Sequence, residues 1–162
     1  MERSSEAENP ALEHLKLHLT GKVLLLGIGN NLRSDDGIGS LLAVRLQGKL
    51  PYIVYDASSS PENYLGKIIK DEPDTILLID AVDFGGEAGE IRLLEGEDIQ
   101  TVNFFSTHDA SISLAISYLK NSLKHTGIFI LAIQPKILAF GDKLSPEITQ
   151  ALEKIERWFL NG

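Results

Sequence analysis

Three segments built around short aliphatic runs constrain the fold of this chain more than any other feature. They read KVLLLGI, DTILLIDAV and GIFILAIQP, at residues 22–28, 74–82 and 127–135. Each is far shorter than the roughly 20 residues that a membrane-spanning helix needs, and each suits a strand buried on both faces. Such strands lie inside a mostly parallel sheet that helices cover on both sides.

Helical patterns alternate with these strands. Residues 111–123 and 145–160 repeat apolar residues every three to four positions, and the second segment begins with a capping serine and a proline. Residues 36–50 also read as a helix, with four apolar residues on its inner face: Leu41, Leu42, Val44 and Leu46. YIVYDA at residues 52–57 adds a strand, and GEIRLLE at residues 89–95 alternates like an edge strand. We expect one α/β domain over residues 1–162, with residues 1–10 as a flexible tail.

Composition excludes several classes of function. The chain carries a net charge of −8 and has no basic block, which argues against binding to nucleic acid or to an acidic membrane surface. The polar, acidic N-terminus is unlike a secretory signal, so we expect a cytoplasmic protein. The absence of cysteine removes thiolate nucleophiles and cysteine-based zinc sites. Any metal must therefore be held by His, Asp or Glu.

Acidic residues stand where the predicted strands end. Asp36 lies in the loop after the first strand, Asp56 closes the second and Asp80 closes the third, while His108 precedes the helix that leads to the last strand. In a parallel sheet these positions meet at the carboxyl edge, where ligands bind. Two carboxylates with one imidazole make a site for a borderline divalent ion such as Zn, Ni, Co or Fe.

Each of these features also has a simpler explanation. Asp is common at strand ends because it caps helices and makes turns. The SDDG segment suits a helix start capped by Ser34 or Asp35, and in THDAS the cap can be Asp109, with His108 merely exposed. The remaining histidines, His14, His18 and His125, read as structural or solvent-exposed, because we see no third ligand near the first two.

The GIGNNL segment at residues 27–32 is a weak match to a dinucleotide-binding loop. The G-x-G-x-x-G fingerprint requires a third glycine where this chain has Leu32. Asp35 and Asp36 would also repel a pyrophosphate. We therefore do not expect a nucleotide cofactor.

Four segments together resemble the NiFe-hydrogenase maturation endopeptidases: LLLGIGNNLRSDDGIG, LLIDAVDFGGEAGEI, STHDASIS and AIQPKILAF. The resemblance implies a three-layer α/β/α sandwich with a five-stranded, mostly parallel twisted sheet and one antiparallel strand, GEIRLLE. It implies an enzyme, classed with aspartic-type peptidases, that removes a C-terminal extension from the precursor of a hydrogenase large subunit. The aspartate at the first site position resembles the branch that serves formate-hydrogenlyase and related membrane-bound hydrogenases.

The resemblance also implies the site residues. The family's nickel-contacting residues map onto Asp36, Asp80 and His108, which would be both catalytic and metal-binding. The glycine–asparagine loop and the second strand would supply substrate-binding residues, namely Gly29, Asn30 and Asp56. Relatives often follow this last aspartate with two glycines, whereas here Ala57 and Ser58 stand in those places.

Three functional hypotheses follow. In the first, a monomeric protease grips nickel that its substrate carries, so no permanent cofactor is expected and binding itself checks metallation. In the second, a free-standing metal-dependent hydrolase, such as an aminopeptidase, holds its own divalent ion. In the third, the chain is a non-catalytic binding module whose acid pair caps a helix.

Overall fold

The computed structural model describes residues 9–95 and 109–162, and its strands form one five-stranded sheet. The strands are β1 (Val23–Ile28), β2 (Ile53–Ser58), β3 (Thr75–Ala81), β4 (Ile91–Glu95) and β5 (Gly127–Ile133). Their order in the sheet is β2-β1-β3-β5-β4. β4 pairs antiparallel with β5, and the other neighbouring pairs are parallel. The expected sheet is confirmed, including GEIRLLE as its antiparallel strand.

Helices cover both faces of this sheet. They are α1 (Pro10–Lys16), α2 (Ile38–Leu46), α3 (Leu65–Asp71), α4 (Asp109–Ser122) and α5 (Pro146–Asn161). Helices α1, α2 and α5 share one core with Val23 and Leu25, whereas α3 and α4 share the other with Leu24 and Leu26. Alternate residues of a strand face opposite sides. This is why β1 is apolar at every position and why the three-layer prediction is confirmed.

The helices follow the sequence pattern with two differences. In α4 the predicted inner face is buried, from Ile112 to Leu119. The helix predicted after β1 is shorter than expected, because residues Ser34–Gly37 form a 3₁₀ turn and α2 begins only at Ile38. Val44, predicted to lie inside, is 52% exposed.

The N-terminal helix is fixed by its cap and its packing. Asn9 accepts hydrogen bonds from the backbone N–H groups of Ala11 and Leu12, at 3.0 and 3.2 Å. Leu12 and Leu15 are buried in the core. The predicted tail falls mainly on residues 1–8, which lie outside the described part of the chain. No helix of the described residues is long and apolar enough to cross a membrane.

Candidate active site

The strand order places a crevice between β1 and β3 at the carboxyl edge of the sheet. From β1 the chain proceeds first to β2 on one side and then to β3 on the other. The connections that leave β1 and β2 therefore run to opposite sides of β1. The gap between β1 and β3 is thus the topological switch point, where open α/β sheets bind ligands. The loop after β1 and the end of β3 border this switch point, which we call the crevice.

Two glycines allow α2 to start directly on the strand ends. A Cβ atom at Gly39 would collide with the backbone oxygens of Ile28 and Ile79. A Cβ atom at Gly27 would collide with the oxygen of Gly39 and with the side chain of Ala43. The helix thus begins in backbone contact with β1 and β3. This contact holds the preceding 3₁₀ turn, which carries Asp36, at the switch point.

Asp36 is 1% exposed. Its Oδ2 accepts a hydrogen bond from the backbone N–H of Asn30 at 3.2 Å. Gly29 also lies against this turn, because a Cβ atom there would collide with the backbone oxygen of Asp36. The loop after β1 therefore folds back on Asp36 and fixes the position of its carboxylate.

Asp80 lies in β3 one position beyond the pairing of Ile79 with Gly27. It is fully buried. By strand alternation it shares a face with Ile76 and Leu78, whose side chains pack with α4. The turn after β1 and the end of β3 thus each place one buried acid, Asp36 and Asp80 respectively, at the carboxyl edge.

The third predicted site residue, His108, lies outside the described residues. Helix α4 begins at Asp109, immediately after it. At the other end of this helix the chain enters β5 at the amino edge, where the backbone N–H of Gly127 donates to the oxygen of Asp74. A 14-residue helix spans about 21 Å. Since α4 packs on the sheet and ends at the amino edge, it begins on the side of the carboxyl edge.

Asp56 lies on the opposite face of the sheet from Asp80, towards α2. Its Oδ1 accepts hydrogen bonds from the Ser40 hydroxyl at 2.7 Å and from the backbone N–H of Ser58 at 2.9 Å. The Asn31 amide in turn donates to the Ser40 hydroxyl at 3.3 Å. Asp56 thus belongs to the same edge, but its carboxylate is bound into a network that joins β2, α2 and the loop.

The two other predicted substrate-binding residues shape the loop itself. The backbone N–H of Gly29 donates to the oxygen of Ser58 at 2.7 Å. The Asn30 side chain accepts a hydrogen bond from the backbone N–H of Leu32 at 3.0 Å, which is a local turn of the kind asparagine favours.

Sequence analysis treated Asp35 only as a possible helix cap, but the structure gives it a larger role. It is fully buried, and its carboxylate accepts four hydrogen bonds. The donors are three backbone N–H groups, of Lys136, Ile137 and Ser145, and the Ser145 hydroxyl, all at 2.7–2.9 Å. Asp35 therefore anchors the segment after β5 to the loop after β1. The SDDG motif marks the acid, but nothing nearby in the sequence marks its partners.

Further contacts tie these two segments together. The Ser34 hydroxyl donates to the oxygen of Ala139 at 2.8 Å, and its backbone N–H donates to the oxygen of Gly141 at 2.8 Å. Ser34 has a φ angle of 52°, a left-handed conformation that is unfavourable for serine. Strained backbone of this kind is frequent beside active sites, where the surrounding contacts enforce it.

Gln134 is a second residue that sequence analysis missed. It is 6% exposed and follows β5 directly. Its Oε1 accepts hydrogen bonds from the backbone N–H groups of Phe84 and Gly86, at 2.9 and 3.1 Å, while its Nε2 donates to Asp83 at 3.0 Å. The hydrogen bond from Gln134, followed by one from the Gly85 backbone, lowers the pKa of Asp83. Gln134 thus fixes the loop that follows Asp80.

One exposed ion pair borders this region. The Lys136 ammonium donates to the Glu147 carboxylate at 2.8 Å. This hydrogen bond raises the pKa of Lys136 and lowers the pKa of Glu147. Because both side chains are exposed, solvent screens the pair and it contributes little to stability.

The structure corrects one expectation about the remaining histidines. His125 is exposed, as expected. His14 and His18, however, have a third potential ligand, because the Glu95 carboxylate lies 3.5 Å from the first imidazole and 3.1 Å from the second. This cluster is at the amino edge of the sheet, since the backbone oxygen of His18 accepts a hydrogen bond from Thr75, the first residue of β3. It is therefore separate from the crevice.

The fold and the crevice define a doubly wound α/β/α protein with buried acids at its switch point. The family model of the HycI hydrogenase maturation protease matches residues 38–161. The chain is 34% identical over 145 residues to the hydrogenase 3 maturation protease of Escherichia coli K12, covering 86% of this chain and 92% of that protein. The chain therefore belongs to the hydrogenase maturation protease family, and it is an endopeptidase.

Solved structures agree with this assignment. The HycI protease of Thermococcus kodakarensis superimposes with a TM-score of 0.80 at 28% identity, covering 92% of this chain and 99% of that one. The solution structure of the Escherichia coli endopeptidase HycI gives a TM-score of 0.76 at 31% identity, covering 87% and 90%. The resemblance seen in the sequence is thus confirmed for family, fold and enzyme class.

Proposed function

We propose that this endopeptidase removes the C-terminal extension of a hydrogenase large-subunit precursor, and that Asp36, Asp80 and His108 hold nickel carried by that precursor. The observation that carries this proposal is the burial of Asp36 and Asp80 at one switch point. Buried acids at the edge where an open α/β sheet binds its ligands are characteristic of functional sites, which use burial to tune the chemistry of titratable groups.

The donor set suits the ion. Two carboxylate oxygens and one imidazole nitrogen bind borderline divalent ions, including nickel, and leave coordination positions open. The precursor fills those open positions with its own nickel ligands. Recognition of the ion then reports that metal insertion is complete, and the chain needs no resident ion at this site.

Binding of the precursor's nickel also positions the scissile peptide bond in the site. Fixing the reacting groups relative to each other removes several kcal/mol from a reaction barrier, on the order of 7 kcal/mol in favourable cases. Two routes lead to attack by water: a carboxylate of the pair acts as general base, or the nickel polarises the scissile carbonyl. Both routes require Asp36 and Asp80 in place.

Asp56, Gly29 and Asn30 complete the proposal as residues that shape the binding surface for the precursor tail. The hydrogen bonds that Asp56 receives from α2 and β2 make it a rigid part of the edge. Ala57 is 4% exposed, so the side chain that replaces a frequent family glycine points into the core and not into the substrate path.

The test is a cleavage assay with purified chain and two forms of one precursor, nickel-loaded and nickel-free. Loss of the tail is followed on a denaturing gel. We expect cleavage of the nickel-loaded form alone; equal cleavage of both forms would remove nickel recognition from the proposal. Glu153→Gln is the control, because Glu153 is an exposed acid on α5 that takes no part in the contacts described at the carboxyl edge, and this variant should keep full activity.

Metal analysis separates this proposal from a hydrolase that holds its own ion. The rival predicts a stoichiometric ion that is lost when Asp36 and Asp80 are both replaced by Asn. Our proposal predicts that these substitutions change no metal content in the absence of precursor. A metal ion that stays bound after these substitutions is bound elsewhere on the chain, and it does not distinguish the two hypotheses.

A further inference from the structure

We propose a second metal site at the amino edge of the sheet, in which His14, His18 and Glu95 bind a borderline divalent ion such as Zn²⁺. The three residues come from α1, from the turn that follows it and from the end of β4. The site is independent of the proposed nickel contact. Asp80 lies five residues along β3 from Thr75, or about 16 Å at the rise of a strand.

The distances fit a tetrahedral ion. The two imidazole Nε2 atoms are 3.3 Å apart, and the Glu95 carboxylate oxygens lie 3.5 and 3.1 Å from them. Ligand atoms at 2.0–2.1 Å from a tetrahedral zinc are about 3.3–3.4 Å from one another. The two Glu95 distances involve different carboxylate oxygens, and one ligand atom from each group lies within 4.8 Å of the other two. A small rotation of the Glu95 carboxylate would therefore bring the three groups to the corners of one face of such a coordination sphere.

The chemistry of the trio favours a cation between its members. Two Nε2 atoms at hydrogen-bond distance require one ring to present a lone pair to the other, and Glu95 adds a negative charge beside both. An ion would accept lone pairs from all three groups at once. Two histidines and one glutamate are a donor set typical of zinc, with a fourth position left for water.

The scaffold holds the ligands in place without the ion. Leu12 and Leu15 bury one side of α1 in the core, which fixes the direction in which His14 points. The His18 ring packs against the Phe129 ring, with centroids 4.7 Å apart. Phe129 is also the residue that pairs with Glu95 across β5 and β4. Each ligand is thus attached to a packed element.

The half-exposed position allows an ion to enter from solvent. The side chains of His14, His18 and Glu95 are 51%, 32% and 37% exposed. Bound metal would link α1 to the last residue of β4. We therefore assign the site a structural role, in which the ion fastens the N-terminal helix to the edge strand.

The experiment titrates the full chain with Zn²⁺ by calorimetry and follows Co²⁺ binding by visible absorption. To remove binding at the crevice, it uses the double variant Asp36→Asn, Asp80→Asn. We expect one equivalent of Zn²⁺ and the absorption of four-coordinate Co²⁺ in this background. His14→Ala, His18→Ala and Glu95→Gln should each raise Kd at least tenfold, whereas His125→Ala, the histidine outside the cluster, should leave it unchanged.

Thermal unfolding gives a second readout. At Zn²⁺ a hundredfold above Kd, Tm of the background protein should rise by roughly 5–10 °C, and the rise should vanish in the cluster variants. Their circular dichroism without metal checks that they fold. The proposal is overturned if the background protein binds no Zn²⁺, or if binding persists unchanged when the cluster residues are replaced.

Discussion

Both the carboxyl edge and the amino edge of the sheet carry potential metal ligands, but these side chains differ in their burial. At the carboxyl edge Asp35, Asp36 and Asp80 are at most 1% exposed, and a segment distant in sequence covers Asp35. At the amino edge His14 and Glu95 are about half exposed and contact each other directly. The first arrangement holds the acids in place, including the two that we propose for the nickel contact. The second leaves a ligand set open to solvent.

A finer difference separates two neighbouring acids of the carboxyl edge. Asp35 directs its carboxylate to four donors of the segment after β5, whereas Asp36 directs its carboxylate to the loop after β1. Two adjacent residues therefore have different roles: Asp35 stabilises the carboxyl edge, whereas we assign Asp36 to the proposed nickel contact. Substitutions at these two positions should have different consequences.

The largest effect is expected on activity. Replacing Asp36 or Asp80 by Asn removes a negative charge and a potential base from the proposed nickel contact. Cleavage of nickel-loaded precursor should fall at least about a thousandfold, as for other residues that act as a unit. Single-turnover gel assays measure the loss, and thermal unfolding checks that the fold persists. Retained cleavage by either variant would contradict the site assignment.

Asp35→Ala should instead reduce stability. The change leaves three backbone N–H groups and the Ser145 hydroxyl without their acceptor in a buried place. Each unsatisfied buried group costs about 1–3 kcal/mol, and entry of water offsets part of this, so we expect the free energy of unfolding to fall by roughly 3–5 kcal/mol. Urea unfolding measures it. A change below about 1 kcal/mol would show that Asp35 does not anchor the edge.

Gly39→Ala tests the backbone contact beneath both acids. The added methyl group would meet the backbone oxygens of Ile28 and Ile79 and push the start of α2 away from the strand ends. Overpacking of this kind costs about 1–3 kcal/mol. Gly66→Ala, in α3, is the matched control, since nothing lies near its added Cβ atom. Equal stabilities of the two variants would argue against a tight approach at Gly39.

The smallest effect concerns a tyrosine on β2, away from both edges. Burial, and then the hydrogen bond from Tyr55 to Asp71, raises the pKa of Tyr55 to about 12. The folded protein then keeps this proton between pH 10 and 12, where the unfolded chain loses it. The contribution of Tyr55 to stability is full below pH 10 and declines as the pH rises through 12.

Tyr55→Phe should therefore flatten the loss of stability between pH 10 and 12. Unfolding by urea at pH 9 and pH 11.5 measures the slope. Tyr118→Phe, at an exposed tyrosine, serves as control and should leave the slope as in the wild type. Identical slopes for all three proteins would show that the Tyr55 proton does not distinguish the folded from the unfolded chain.

The sequence predicted the elements whose signals are local. Continuous aliphatic runs located β1, β3 and β5, and the positions of Asp36 and Asp80 at their ends followed from the parallel arrangement. The spacing of apolar residues predicted the inner face of α4. These patterns predict the elements correctly because burial of one or two faces of a strand or helix determines the residue type at every few positions.

The sequence failed where distant residues decide the outcome. Ser145 was expected to cap α5, yet its side chain makes no cap hydrogen bond there and donates to Asp35 instead. The pair His14 and His18 was dismissed because Glu95 is remote in sequence and reaches it only once β4 has joined the sheet. Both contacts depend on the complete fold. Val44, in contrast, was misplaced for a local reason: at 3.6 residues per turn it lies about 200° around α2 from the buried Leu42, so it faces solvent.

The most direct test of the central claim is the affinity of the chain for its precursor. Binding of nickel-loaded and nickel-free precursor is measured with the wild type and with Asp80→Asn. We predict that the wild type binds the nickel-loaded form at least tenfold more tightly and that Asp80→Asn abolishes this preference. Equal affinity of the wild type for both forms, or an unchanged preference in the variant, would contradict the account.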